Sequence, residues 1–158
     1  MPGPYSEDEE KALDVIEDQL MAAQVSSARM MKMYAEFLRK CILARHFDST
    51  VPSMQLVFIS KHLLTAISSF GTDSGDELRR SSRRELWFLS DRFEKENPTL
   101  AALSRCAVCC CSEEGEWNPE NSESLTPIPF YLFLLKRLDS NMGLEFLRYA
   151  RVHLLDFA

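Results

Sequence analysis

The scarcity of glycine is the feature that most constrains the fold of this chain. Only five of its 158 residues are glycine, and its seven prolines stand at the edges of apolar segments rather than inside them. Long stretches without turn-forming residues favour helices over hairpins. A chain of this length is also the size of one ordinary domain. We therefore predict an all-α fold, a compact single-domain bundle of about six to seven helices.

A capping box marks the start of the first helix. Ser6 and Glu9 stand three residues apart, just before apolar residues at helical spacing, and predict a helix from about residue 7 to residue 24. Residues 1–6 are predicted to form a disordered start. A second segment with the same helical spacing predicts a helix that reaches about His46.

The middle of the chain contains the clearest turn signals. The glycine-rich turn at residues 71–76 is followed by an arginine-rich helix, which we predict over roughly residues 77–96 with Asp76 as its cap. Asn97 and Pro98 are predicted to end that helix and to start the next, which runs into a cluster of cysteines.

Two strongly apolar segments are predicted to form central helices of the bundle. The first lies between Pro52 and Gly71 and has a nearly all-apolar face, so we expect it in the middle of the fold. The second follows Pro129. After it, residues 140–141 are predicted to cap a last helix. The sequence stops at Ala158 without a residue that ends helices, which indicates that this helix frays or that the sequence is a piece of a longer chain.

Charge is distributed along the chain in three blocks, although the net charge is −6. Residues 7–18 hold seven acids and one lysine, and residues 112–124 hold five glutamates and no base. Residues 25–111 carry thirteen lysines and arginines against nine acids. This pattern favours internal pairing or a local anionic partner over broad binding of nucleic acid. We predict that residues 112–126 form an exposed acidic loop.

No membrane segment or signal peptide is recognisable. The longest apolar run, around residues 127–135, is far shorter than the roughly 18 residues of a membrane span. The N-terminus lacks the basic start and the apolar region of a secretory signal. We therefore predict an intracellular protein, cytoplasmic or nuclear, whose cysteines are reduced.

Four of the five cysteines, Cys106, Cys109, Cys110 and Cys111, lie within six residues. We favour buried or semi-buried thiols at a helix end, because free cysteine is among the most buried residue types. Cys106 and Cys109 have the CxxC spacing of metal ligands, but a tetrahedral zinc site needs two further ligands and no second pair is present. A metal site at Cys106 and Cys109 and S-acylation of Cys109, Cys110 and Cys111 are the two alternatives.

Four arginines, Arg79, Arg80, Arg83 and Arg84, form like-charged neighbours on one predicted helix. A solvated helix face is the favoured interpretation, because most charge runs are of that kind. The alternative is an anion site that binds phosphate or nucleic acid. Ser82 follows two arginines in the pattern that basophilic kinases accept, and a phosphate there would partly neutralise the cluster.

Large apolar side chains supply the candidates for partner binding. Met30 and Met33 cannot share a helix face with Met31, so exposure of both would indicate a groove for a partner helix. Trp117 lies in the acidic segment, where burial is difficult to arrange, and is predicted to anchor a partner or to dock on the bundle.

Signatures of catalysis are missing from the sequence. It contains no P-loop, GxGxxG, GxSxG or HExxH motif, and only three histidines. His62 is the one histidine on a strongly apolar helix, where a shifted pKa is expected. We predict that the protein is not an enzyme and has no cofactor.

These observations together predict an intracellular protein-interaction domain of the adaptor, regulatory or assembly type. It would bind a protein partner, or a second copy of itself in a homo-oligomer, through a helical groove or face. The alternative is an RNA- or phosphate-binding protein that uses the four arginines, as a viral nucleoprotein or matrix protein would.

Overall fold

The computed structural model describes residues 6–23, 27–111 and 128–155. Within these ranges all regular structure is helical, which confirms the all-α prediction and the expected number of helices. The helices are α1 (Glu7–Ala23), α2 (Ser27–Leu43), α3 (Ser53–Ser69), α4 (Gly75–Phe93), α5 (Pro98–Cys109), α6 (Ile128–Leu138) and α7 (Met142–Leu155). The predicted acidic loop and, apart from Ser6, the predicted disordered start lie outside the described residues.

Two helix starts use the predicted caps. The Ser6 amide donates to Glu9 Oε1 at 3.0 Å and the Glu9 amide donates to Ser6 Oγ at 3.2 Å, so the capping box is formed. At the start of α5, Asn97 Oδ1 accepts a hydrogen bond from the Leu100 amide at 3.1 Å. Side chains thus satisfy backbone amides that have no partner within the helix.

Helix α4 begins differently from its prediction. Its N-cap residue is Ser74, whose side chain makes no capping hydrogen bond. The Asp76 carboxylate, which was predicted to be the cap, lies in the first turn and pairs with the guanidinium of Arg79. A carboxylate in a first turn is favourable in the field of the helix dipole. Asp76 therefore compensates the charge of an arginine instead of capping the helix.

The helices divide into two compact units, and the first contains α1, α6 and α7. Helix α7 packs against both α1 and α6. The rings of Tyr131 in α6 and Phe146 in α7 meet edge to face with centroids 5.0 Å apart. Lys136 in α6 donates to Glu9 Oε1 in α1 at 2.8 Å, and this ion pair is largely buried. The prediction of a single domain stays a prediction.

The second unit contains α2 to α5, with α3 at its centre. Helix α3 packs against α2, α4 and α5. One side of α3 is buried, and it carries Leu56, Ile59, Leu63, Ala66 and Ser69. Arg79 near the start of α4 donates to Ser69 Oγ near the end of α3 at 2.8 Å, so the two helices run antiparallel.

Small side chains join α4 closely to α5. Ser104 Oγ in α5 donates to the carbonyl oxygen of Leu86 in α4 at 2.6 Å, and both residues are buried. Arg105 Nε donates to Ser90 Oγ at 3.1 Å. Serine at these contacts lets the helix axes approach while its hydroxyl remains hydrogen-bonded. Helix α4 is thereby held on both sides, by α3 and by α5.

Candidate interaction surface on helices α3 and α4

One side of helix α3 exposes large apolar side chains. Met54, Val57 and Leu64 are 80%, 68% and 45% exposed, although α3 is the central helix of its unit. The expectation that α3 lies in the middle of the fold therefore holds for its buried side but not for this face. Together with the exposed Lys61, these residues follow the spacing of a single helical stripe.

Helix α4 adds an aromatic side chain between two arginines. Phe88 is 71% exposed, and Arg84 and Arg92 are exposed four residues before and after it. Residues four apart lie above one another on a helix, so the three form one row along α4. The guanidinium of Arg92 also lies 5.2 Å from the centre of the Phe93 ring. This row combines an apolar centre with a cation at each end.

An open groove of about 590 Å³ lies between the two helices, and we call it the α3–α4 groove. It is lined by Met54, Gln55 and Phe58 of α3 and by Arg84, Glu85, Phe88, Leu89, Arg92 and Phe93 of α4. Its volume is within the range of ordinary binding clefts. The groove is apolar in its middle and polar at its edges, as protein interfaces commonly are.

A second groove, of about 430 Å³, lies on the other side of the α3 stripe, between α2 and α3. We call it the α2–α3 groove. Leu43 of α2, which is 61% exposed, faces it together with Val57 and Leu64. Exposed apolar side chains thus extend from Leu43 across α3 to Phe88 on α4. Exposed apolar patches of this kind often mark sites that bind another molecule.

A line of hydrogen bonds through His62 joins α3 to α4 beside the α3–α4 groove. His62 Nδ1 lies 2.8 Å from Ser82 Oγ, and His62 Nε2 lies 3.0 Å from Glu85 Oε2. The ring of Phe58 meets the His62 ring edge to face at 4.6 Å. Burial lowers the pKa of His62, although the neighbouring Glu85 carboxylate acts in the opposite direction.

Serine, histidine and carboxylate are also the components of a hydrolytic triad, but access to Ser82 differs from what a nucleophile needs. Ser82 lies inside α4 and is only 3% exposed. Its hydroxyl is therefore closed to a substrate in this structure. Phosphorylation of Ser82, which the sequence suggested, would likewise require α4 to move away from its neighbours. The contacts of His62 with Ser82 and Glu85 therefore join α3 to α4, beside the exposed surface.

Arg79, the first residue of the arginine cluster, is almost completely buried. Its side chain is 1% exposed, donates to Ser69 Oγ and pairs with Asp76. Its guanidinium carbon lies 4.0 Å from the centre of the Phe70 ring, which is a cation–π contact. Arg79 is therefore part of the packing between α3 and α4, and its guanidinium is not presented to an external anion.

The other arginines of the cluster point in different directions. Arg80 and Arg84 are exposed, whereas Arg83 is partly buried. Burial raises the pKa of the Cys111 thiol, and the charges of Arg79 and Arg83 nearby oppose that rise without reversing it. The four arginines therefore do not form one continuous basic patch. Of the four, only Arg84 lines the α3–α4 groove.

The cysteine cluster is packed into the end of α5. Cys106, Cys110 and Cys111 are fully buried, and Cys109 is partly exposed. Burial raises the pKa of Cys109 and of Cys111 to about 12, so these thiols stay protonated at neutral pH. The preferred interpretation of the cluster, thiols at a helix end, agrees with this placement. Acylation would find only Cys109 at the surface.

Metal binding by Cys106 and Cys109 finds no further ligand in the part of the chain that the structure describes. There, no three side chains of histidine, cysteine, aspartate or glutamate are grouped as metal ligands are. Cys106 instead lies within the packing of α5, where its carbonyl oxygen accepts a contact from Cys110 Sγ at 3.5 Å.

The residues that the sequence favoured for partner binding are not exposed or not described. Met30 and Met33 are each 5% exposed, so the condition for a methionine groove on α2 is not met. Trp117 lies outside the described residues. The exposed aromatic side chain that lines the α3–α4 groove is instead Phe88, and the sequence did not lead us to predict it. The signal was the spacing of Arg84, Phe88 and Arg92, because these positions lie outside the buried stripe of α4.

Comparison of the chain with protein-family models, curated proteins and solved structures finds no match. Among the described helices, none has the length and apolar character that crossing a bilayer requires.

Proposed function

We propose that this chain is a protein-interaction domain that binds a helical segment of a partner on the α3–α4 groove. The observation that carries the proposal is Phe88, exposed between Arg84 and Arg92 and facing the groove together with Met54. Aromatic residues, methionine and arginine are the types enriched in the centres of protein interfaces. Their association in one row supports a role in binding a protein.

The shape of the surface favours a helix as the bound segment. Two antiparallel helices form a straight channel, and an amphipathic helix fills such a channel with apolar residues at positions i, i+3, i+4 and i+7. On α4 the lining residues extend from Arg84 to Phe93, nine residues apart, which corresponds to about 14 Å along the helix axis. Two to three turns of a partner helix would cover that distance.

Burial of the exposed side chains would provide the main part of the binding free energy. Complete burial of a side chain such as Met54 or Phe88 contributes about 1.5–3 kcal/mol before the entropy of association is subtracted. The residues around them would then exclude water from the contact. Phe88 and Met54 are therefore expected to dominate the affinity.

The row of Arg84, Phe88 and Arg92 also supports the alternative function, which is binding of RNA or phosphate. An exposed ring with arginines on both sides offers base stacking and phosphate contacts together. This binding would decrease steeply with salt. Retention of the protein on heparin or single-stranded RNA, lost when Arg84 and Arg92 are changed to glutamate, would establish it in place of the first proposal.

The experiment is affinity purification from the native cell with three baits: the wild type, Phe88→Ala and Phe133→Ala. Phe133 is the matched control, because it is a phenylalanine of α6 that is 45% exposed and lies outside the groove. We expect a protein partner that the Phe88 variant loses and the Phe133 variant retains, while circular dichroism shows all three baits equally folded. An identical set of partners for all three would refute the proposal.

A further inference from the structure

We infer that the segment bound in the α3–α4 groove is an amphipathic helix with aspartate or glutamate at the edges of its apolar face. This inference depends on the proposed function and specifies the chemistry of the partner. Arg84 and Arg92 are exposed cations that line the α3–α4 groove, and a third exposed cation, Lys61, lies within the apolar stripe of α3 and lines the α2–α3 groove. None of the three forms an ion pair with another described residue.

The acids near the same surface do not balance these cations. Glu85 lines the α3–α4 groove, but its carboxylate is engaged by His62 at 3.0 Å. Asp48 lines the α2–α3 groove together with Lys61 and is not a lining residue of the α3–α4 groove. Asp91 is exposed on α4 but is not a lining residue of the α3–α4 groove. The groove therefore offers two uncompensated arginines, and charge complementarity calls for carboxylates on the partner.

The spacing of the arginines indicates where those carboxylates would lie. Arg84 and Arg92 are eight residues apart, which is about 12 Å along the axis of α4. A partner helix aligned with the groove spans that distance with two acids seven or eight residues apart. Apolar residues between them would meet Phe88 and Met54. An arginine can bind a carboxylate through two parallel hydrogen bonds, which fixes the register of the helix.

A second copy of this chain is a poorer fit to the surface. In a two-fold symmetric contact each residue near the axis meets its own equivalent. Lys61 is the middle residue of α3, which extends from Ser53 to Ser69, and it lies within the apolar stripe. Antiparallel pairing of two α3 helices at their midpoints would bring two lysines together. Like charges at the centre of a contact disfavour that pairing.

The test is a display selection with the full chain as the target. A library of amphipathic helical peptides keeps its apolar positions constant and randomises the positions that flank them. Binders to the wild type are sorted against Phe88→Ala, so that only peptides dependent on the groove remain. We expect these peptides to be enriched in aspartate and glutamate, with pairs seven or eight residues apart.

A charge-reversed target provides the matched control. The double variant Arg84→Glu, Arg92→Glu should bind the selected acidic peptides roughly tenfold or more weakly and should favour versions with lysine at the same positions. Phe88-dependent peptides without acidic enrichment would overturn the inference and leave the proposed function intact. A selection without any Phe88-dependent peptide would overturn both. A dimer in analytical ultracentrifugation that Val57→Glu dissociates would assign the surface to a second copy instead.

Discussion

At the residue scale, Arg79 differs most from what its sequence context indicates. Four arginines in six residues suggest a solvated face, yet Arg79 is enclosed by Asp76, Ser69 and Phe70. A charged side chain is buried only when it is paired and hydrogen-bonded, and these three contacts meet that requirement. The run of four arginines does not distinguish Arg79 from its neighbours. Arg79 differs because it packs against Ser69 and Phe70 at the end of α3 and pairs with Asp76 in the first turn of α4.

The burial of Arg79 predicts a large loss of stability in Arg79→Ala. The variant removes the hydrogen bond to Ser69, the ion pair with Asp76 and the contact with the Phe70 ring. Because Asp76 is half exposed, we expect a loss of about 2–4 kcal/mol in the free energy of unfolding, measured by urea denaturation. Arg84→Ala is the control and should change it by less than about 0.5 kcal/mol. Equal effects of the two variants would contradict the assignment of Arg79 to the core.

His62 predicts a dependence of stability on pH. Burial lowers its pKa in the folded protein, and the nearby Lys61 acts in the same direction, while Glu85 opposes them. As the pH falls below the ordinary histidine value of about 6.5, the unfolded chain binds a proton more readily than the folded protein. The stabilising effect of neutral His62 is therefore complete above that value and decreases towards pH 5.

The measurement is the urea midpoint at pH 7.5 and at pH 5.5 for the wild type and for His62→Gln. We expect the midpoint to decrease between the two pH values, and to decrease less in the glutamine variant, which cannot titrate. Because other acids and bases also titrate in this range, only the difference between the two proteins reports on His62. A wild type and a variant with the same pH dependence would show that His62 is not held neutral.

At the element scale, the sequence predicts where a helix ends better than it predicts which side of the helix other helices cover. Asn97 and the capping box at Ser6 satisfy backbone amides a few residues away, so local sequence contains all the information needed. The covered side of α3 depends instead on packing with α2, α4 and α5. A pattern that is apolar on nearly every side does not separate buried Leu63 from exposed Met54, so the exposed side of α3 could not be located from sequence alone.

Glu9 combines a local and a long-range role, and we expect its loss to destabilise the packing of α1. Its carboxylate closes the capping box with Ser6 and accepts from Lys136 of α6 at 2.8 Å. Burial would raise the pKa of Glu9, but the hydrogen bonds from Lys136 and Ser6 outweigh that effect and lower it. Glu9→Ala removes the carboxylate that accepts from the mostly buried ammonium of Lys136 and opens the capping box, and should cost about 2–4 kcal/mol.

Glu10→Ala is the matched control for this prediction, because Glu10 is an exposed acid in the same first turn. Its replacement should change the stability by less than about 0.5 kcal/mol, measured by thermal unfolding followed by circular dichroism. The folded pKa of Glu9 is lowered, so its contribution is present above the ordinary glutamate value and is lost as the pH falls below it. Equal melting temperatures for Glu9→Ala and the wild type would show that the ion pair contributes nothing.

At the scale of the whole molecule, the sequence indicates the helix content but not how the helices divide into two units. Scarce glycine and regular apolar spacing predict the seven described helices. The structure groups α2 to α5, which are consecutive in sequence, into one unit, and groups α1 with the distant α6 and α7 into the other. Contacts between distant segments such as Glu9 and Lys136 leave no periodic signal in a single sequence, and so they could not be predicted.

The continuity of α2 to α5 predicts that a fragment of residues 27–116 folds by itself. Each of its helices contributes a fully buried leucine, and these are Leu38, Leu63, Leu86 and Leu103. The Ser104 and His62 hydrogen bonds that join α4 to its neighbours lie within the fragment. We expect a helical circular dichroism spectrum and a single cooperative urea transition. Leu63→Ala, the control for native packing, should destabilise the fragment and the full chain alike by about 2–5 kcal/mol. A fragment without cooperative unfolding would show that this unit needs the rest of the chain.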